Sequence, residues 1–186
     1  MGKLRHINLK LGEAQAFVER FHRHSKPLKR HMFSIGAYDT MLMFGSKLVD
    51  FPVGLHGVLT VDRCSSAWSK DRDRVEIRRI CAAPFAKQNT TSFLIGKAKQ
   101  ACFAMGYRQI VTYTQPHESG TSLKAAGFRL DDYNVTSFTS GRVEGLLRWV
   151  CDEVYSLTEY GRQRQNESLS DITEIVKEAE KDRAEQ

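Results

Sequence analysis

The sequence predicts an α/β domain over residues 1–150, a mixed central sheet flanked by helices, followed by a charged, helix-prone C-terminal tail over 151–186. Three observations carry that prediction. Strand-type and helix-type apolar spacings alternate along the first 150 residues. An arginine-bearing strand, VEIRRICAAP, runs through the polar loop FAKQNTTS into a helix, and a second apolar strand, RQIVTYT, follows. The final stretch, SLSDITEIVKEAEKDRAEQ, opens on a Ser/Asp cap signal but is too thinly apolar to build a core.

In chain order, LRHINLK alternates well enough for a first strand. Gly12 opens the helical stretch EAQAFVERFHRH, where Ala14, Phe17, Val18 and Phe21 recur at helical spacing, and Pro27 is expected to end it. MFSIGAYD and VGLHGVLTVDR read as strands rich in β-branched and aromatic residues, while TMLMFGSKLVDFP between them fits either a longer hairpin or a loop. CSSAWSKDRDR is polar and reads as a loop. From about Asn89 to Met105, the residues Phe93, Leu94, Ala98, Ala101, Cys102 and Met105 form one stripe that can pack on a sheet, with Gly106 as the stop. TSLKAAGF reads as a short helix closed by Gly127. LDDYNVTSFTS and GLLRWVCDEVY read as closing strands, with a helix as the alternative for the second.

Composition narrows the class of function. Apolar residues make up 41% and charged residues 27%, ordinary values for a water-soluble domain, and no apolar run is long enough to cross a bilayer. The first ten residues lack the apolar stretch of a secretory signal, so a cytoplasmic protein is expected. Cys64, Cys81, Cys102 and Cys151 show no paired spacing, which argues against a disulfide framework and a zinc ribbon. The net charge of +6 is unevenly placed: residues 1–31 hold eight Lys/Arg against two acids, and residues 152–186 hold five against ten. That asymmetry suits an anionic partner such as nucleic acid or a phosphorylated ligand, and equally a solvated basic face.

Strand, polar loop and helix in that order can hold a phosphorylated ligand, because a helix's first turn has unpaired N–H groups and positive dipole charge. With the HxH element before a Pro, the following FSIG, the arginine strand ending near a Cys, the Asn-x-x-Ser helix start and GTSLKAAGF, the chain resembles the GNAT superfamily of acyl-CoA-dependent N-acyltransferases over roughly residues 1–140. Within it the chain looks most like small acetyltransferase-like proteins of phages and bacterial genomes. More distantly it resembles the phage Mom-like proteins that modify DNA adenines, with Arg79 and Ser92 where that family's functional Arg and Ser would fall. The resemblance implies acetyl-CoA as acyl donor and an amine acceptor, with a nucleobase of phage DNA the first candidate. It also implies that no membrane is involved, and it is compatible with a homodimer.

Two departures from the GNAT pattern stand out. The pyrophosphate loop of that superfamily is glycine-rich, and here it reads KQNTTS, so side chains occupy space that glycine leaves open. Many GNAT enzymes also carry a Tyr in the short helix before GF, and here Leu123 stands there. Ser122 and Tyr113 are the nearest candidates to protonate a leaving thiolate.

The remaining candidates each carry an ordinary reading beside the functional one. Glu76 is the candidate general base, or a carboxylate paired with Arg74 or Arg78. Arg79 suits bidentate binding of an oxyanion, or a carboxylate partner. The resemblance assigns Ile80, Cys81 and Ala82 a backbone N–H for the thioester oxygen, at a bulge in that strand. Lys87, Gln88, Asn89, Thr90, Thr91 and Ser92 would cradle the pyrophosphate, or simply cap a helix. His22, His24 and His117 are candidates for contact with the acceptor, or loop residues. No metal is expected unless the helix ends at His22: two residues apart on a continuous helix, His22 and His24 diverge by about 200°.

Overall fold

The computed structural model describes residues 3–22, 28–39, 51–64, 73–137 and 143–153. His24, the segment from 40 to 50, the polar loop at 65–72 and the C-terminal tail from 154 onward lie outside the described residues.

One seven-stranded sheet organises the chain. In chain order the elements are β1 (Arg5–Leu9), α1 (Leu11–Phe21), β2 (Phe33–Tyr38), β3 (Gly57–Arg63), β4 (Arg74–Ala82), α2 (Thr90–Ala104), β5 (Gln109–Thr114), α3 (Thr121–Ala125), β6 (Arg129–Ser137) and β7 (Val143–Asp152). Across the sheet the strands run β1-β2-β3-β4-β5-β7-β6. Every neighbouring pair is antiparallel except β4 and β5. Because parallel strands need a crossover, α2 covers one face between them.

The helices divide the core in two. Ala14, Phe17 and Val18 of α1 pack with Leu9, Leu55, Val58 and Cys81. On the other face, Leu94, Ile95, Ala98 and Cys102 of α2 and Leu123 of α3 pack with Leu59, Val61, Val75, Ile77, Ile110 and Trp149. Each fully buried aliphatic or phenyl side chain here contributes about 1.5–3 kcal/mol. This burial is what presses both helices onto the strands.

Local signals set the helix limits. The Lys10 N–H donates to Glu13 Oε2 at 2.7 Å and opens α1. That helix ends at Phe21, well before Pro27, because beyond Phe21 no apolar residue continues the buried stripe; His22 is already extended at φ −80°, ψ 128°. At the end of α2, Gly106 takes φ +86°, and the Gly106 and Tyr107 N–H groups return to the carbonyls of Phe103 and Cys102 at 2.9 and 3.1 Å. The GLLRWVCD segment is a strand rather than a helix: Leu147, Trp149 and Cys151 reach the core at a period of two. β7 runs on through residue 150 to Asp152. No helix among the described residues is long and apolar enough to cross a membrane.

Candidate active site

Among the described strands the sheet splits at its one parallel pair. β4 and β5 are in register at Arg74–Gln109, Val75–Ile110 and Glu76–Val111, and pair no further. At the point of the fork the Thr112 hydroxyl donates to the Ile77 carbonyl at 2.9 Å, satisfying a buried acceptor that the missing ladder would have used. Beyond that bond the strands separate around a cavity of about 500 Å³. Ile77 to Ile80 form one wall and Thr112 to Gln115 the other. Thr91 and Ile95 of α2 and Thr121 to Leu123 of α3 close one side, and His22, just past α1, reaches the other.

A bulge shapes the β4 wall. Thr60 stands opposite Arg79 and Val61 opposite Ile77, so Arg78 is an extra residue in the strand. It falls two residues before Ile80, the start of the Ile80–Ala82 position that the resemblance implied. Ile77 and Ile80 keep their contact with the α2-side core, and the two arginines between them, Arg78 and Arg79, line the cavity. Arg78 Nε lies 3.6 Å from Asp62 and 4.0 Å from Glu76. Asp62 also takes Arg30 at 3.4 Å. Arg79 donates to the Arg78 carbonyl at 2.7 Å. Burial lowers the Arg79 pKa, Glu76 opposes that shift and Arg78 adds to it.

This polar tract is tightly enclosed. Thr60, Asp62, Glu76 and Arg79 are all buried, and among the described residues Thr60 Oγ1 and Arg78 Nε have no hydrogen-bond partner. Beside them, His31 Nδ1 is 2.5 Å from Ser34 Oγ. Burial lowers the pKa of His31, against the pull of Asp62. Across the fork, burial first and then the Glu76 charge push the Tyr113 phenol up to about 12, with Arg148 opposing. Tyr113 therefore keeps its proton at neutral pH.

The other end of the cavity meets the start of α2. Asn89 sits in the left-handed region at φ 66° and makes no side-chain capping bond. A left-handed residue followed by helical ones turns successive N–H groups toward one point, an anion-binding geometry that needs no glycine if Asn occupies it. The hydroxyls that the sequence set in place of glycines are folded away: Thr90 donates to the Lys87 carbonyl at 2.6 Å and Ser92 to the Asn89 carbonyl at 3.1 Å.

Six of the sequence candidates thus share one cavity: His22, Arg79, Ile80, Thr91, Tyr113 and Ser122. Glu76 is 3% exposed and stands behind the wall, held by Arg78. Lys87, Gln88, Asn89, Thr90 and Ser92 make the loop and first turn beside the cavity, with Lys87 Nζ 3.4 Å from Asp39. Cys81 points into the α1-side core, where burial pushes its thiol up to about 11, and Ala82 is exposed at the strand's end. His117 is exposed in the turn after β5. Leu123 lends the cavity an apolar wall. Sequence reasoning named Arg78 only as a partner for Glu76, which it is, and missed its place on the cavity wall together with Thr112 and Leu146. Among the described residues no three His, Cys, Asp or Glu are grouped to hold a metal ion.

A mixed sheet forked at its parallel pair, with a helix start at one mouth and the end of α1 at the other, defines an acetyltransferase-type fold. Solved structures with that fold include a spermidine N-acetyltransferase chimera from Vibrio cholerae and hSSAT (TM-score 0.55, 16% identity, 83% of this chain and 99% of that one). A Bacillus subtilis acetyltransferase in complex with CoA gives 0.52 at 16% identity, over 81% and 99%. The ribosomal-protein-S18-alanine N-acetyltransferase of Escherichia coli gives 0.53 at 12%, over 81% and 94%. No protein-family model and no curated protein matches the sequence.

Proposed function

We propose that this protein is an N-acyltransferase that moves an acetyl or related acyl group from a coenzyme A thioester to an amine. The observation that carries the reading is the fork: a cavity that crosses the sheet between the uncapped start of α2 and His22. The coenzyme, when bound, supplies an acyl carbon activated by a thiolate leaving group. The residues present suit it, since the αL Asn89 and the first-turn amides of α2 offer N–H groups to a diphosphate, and the walls of Ile77, Ile80, Ile95 and Leu123 suit an apolar arm.

The roles of the side chains follow from their surroundings. Glu76, behind the β4 wall, takes the proton from the attacking amine through water, because an ammonium has no lone pair to attack with. Arg78 Nε faces the Glu76 carboxylate with positive charge at 4.0 Å. As the new C–N bond forms and the C–S bond breaks, Tyr113 donates a hydrogen bond to the departing sulfur. A phenol at about 12 is a much weaker acid than a thiol near about 8.5, so it stabilises the thiolate by its hydrogen bond while solvent supplies the proton.

For the acceptor we infer an amine on an anionic molecule, with a nucleobase amine of DNA first. Arg79 on the β4 wall and the eight Lys/Arg of residues 1–31 support it. Such a base must be reached outside its stack. Leu123, where an acid was expected, favours a second reading, a non-catalytic module that binds nucleic acid through the same basic surface. Calorimetry with acetyl-CoA separates the two: saturable heat at micromolar to near-millimolar ligand supports the enzyme, and its absence removes the donor. Mass spectrometry of DNA and small amines from expressing cells then names the acceptor, with acyl adducts absent from cells that carry Glu76→Gln.

A further inference from the structure

The loop from 83 to 89 contains no glycine, yet its backbone must hold one shape if it is to present amides to a phosphate. Its tethers converge on a residue that the reading above leaves unused. The carbonyl of His56 accepts the Ala83 N–H at 2.9 Å, and its ring Nδ1 accepts the Lys87 N–H at 3.2 Å. Between them Ala86 N–H closes a turn onto the Ala83 carbonyl at 2.9 Å, and the Lys87 carbonyl takes both the N–H of Thr90, at 3.2 Å, and its hydroxyl. One residue at the entry to β3 therefore clamps both ends of the loop that opens α2.

The clamp works in only one protonation state. A backbone N–H can only donate, so Nδ1 must be bare, and the ring proton sits on Nε2. There it donates to Asp39 Oδ1 at 3.0 Å, while Asp39 Oδ2 faces Lys87 Nζ at 3.4 Å. Asp39 thus sets the tautomer and holds the same lysine whose amide the ring receives. Asp39, after β2, and Lys87, before α2, are the charged groups contacting the ring among the described residues, and the His56 side chain is 16% exposed.

We propose that His56, oriented by Asp39, is a positioning residue for the diphosphate end of the acyl donor: its neutral Nδ1 fixes the Lys87 amide and with it the turn that presents Asn89 and the start of α2. The inference rests on the coenzyme reading of that helix start. Protonating the ring turns Nδ1 into a donor facing a donor. The Lys87 bond then breaks while the contact with Asp39 persists. Losing one such bond corresponds to a roughly three- to tenfold weaker donor affinity.

Three proteins test this: wild type, His56→Asn, whose side-chain oxygen can still accept the Lys87 N–H but cannot titrate, and His56→Leu, which cannot accept it. Calorimetry with acetyl-CoA at pH 8 should show His56→Asn close to wild type and His56→Leu several-fold weaker. Equal affinity of wild type and His56→Leu overturns the role of His56 and leaves the coenzyme reading intact. If wild type shows no heat, the coenzyme reading fails first and the donor role of His56 with it. Amide hydrogen exchange without ligand tests the clamp by itself. The Lys87 N–H should be protected in wild type and His56→Asn and exposed in His56→Leu, and equal exchange in all three overturns the clamp.

Discussion

Glu76 is buried at 3% exposure in a sheet where most buried neighbours are apolar, a placement that is costly unless the charge is paired. Arg78 supplies the pairing, shared with Asp62, and the bulge that makes room for Arg78 also delivers Arg79 to the cavity. Structural pairing and the proposed chemistry are thus one arrangement. Replacing Glu76 by Gln keeps the volume and removes the base, so turnover should fall by roughly 10²–10⁴-fold while acetyl-CoA affinity stays within a factor of about two. Initial rates with a fixed amine, paired with calorimetry, check this. A parallel loss of donor affinity would mean that the variant has disturbed the fork. The sequence exposed Arg79 and Tyr113 because polar residues in apolar strands are conspicuous. It hid the partnership of Glu76 with Asp62, which lies fourteen residues upstream on a strand whose register no local signal sets.

At the scale of elements, the fork depends on how far β4 and β5 stay together. Thr112 ends the pairing cleanly by giving its hydroxyl to the Ile77 carbonyl in place of a backbone N–H. Thr112→Val keeps the shape and orphans that carbonyl. The expected cost is about 1–3 kcal/mol in denaturant unfolding, with a weaker acetyl-CoA affinity as the strands shift. Unchanged stability would mean that the carbonyl finds another partner. The ends of α2 were legible to within a residue, since the apolar stripe and Gly106 are local features. The end of α1 was not: Pro27 marked the latest point at which the helix could stop, whereas burial decided where it did. The glycine in GTSLKAAGF has a reason that only packing reveals, for a Cβ on Gly120 would stand 2.4 Å from the Trp149 ring.

For the molecule as a whole, two apolar cores hold α1 and α2 on opposite faces, and the cavity passes between the faces at the one break in the sheet. Its β4 wall carries two arginines beside an N-terminal segment rich in Lys and Arg. If DNA is the acceptor, that surface dominates the encounter. Affinity for a short duplex or single strand should then fall steeply with salt, the logarithmic slope growing by about 0.7–0.9 for each phosphate neutralised. Fluorescence anisotropy between 50 and 300 mM salt measures it, and a flat response would point to a small or neutral amine. By itself the sequence determined the element order, the helix that follows the arginine strand and six of the residues that line the cavity, because periodicity and caps are local. Only the tertiary structure decided the fork, the bulge at Arg78 and the His56 clamp. Each joins residues from separate strands, and cross-strand register is set by the packing of two faces together rather than by any segment alone.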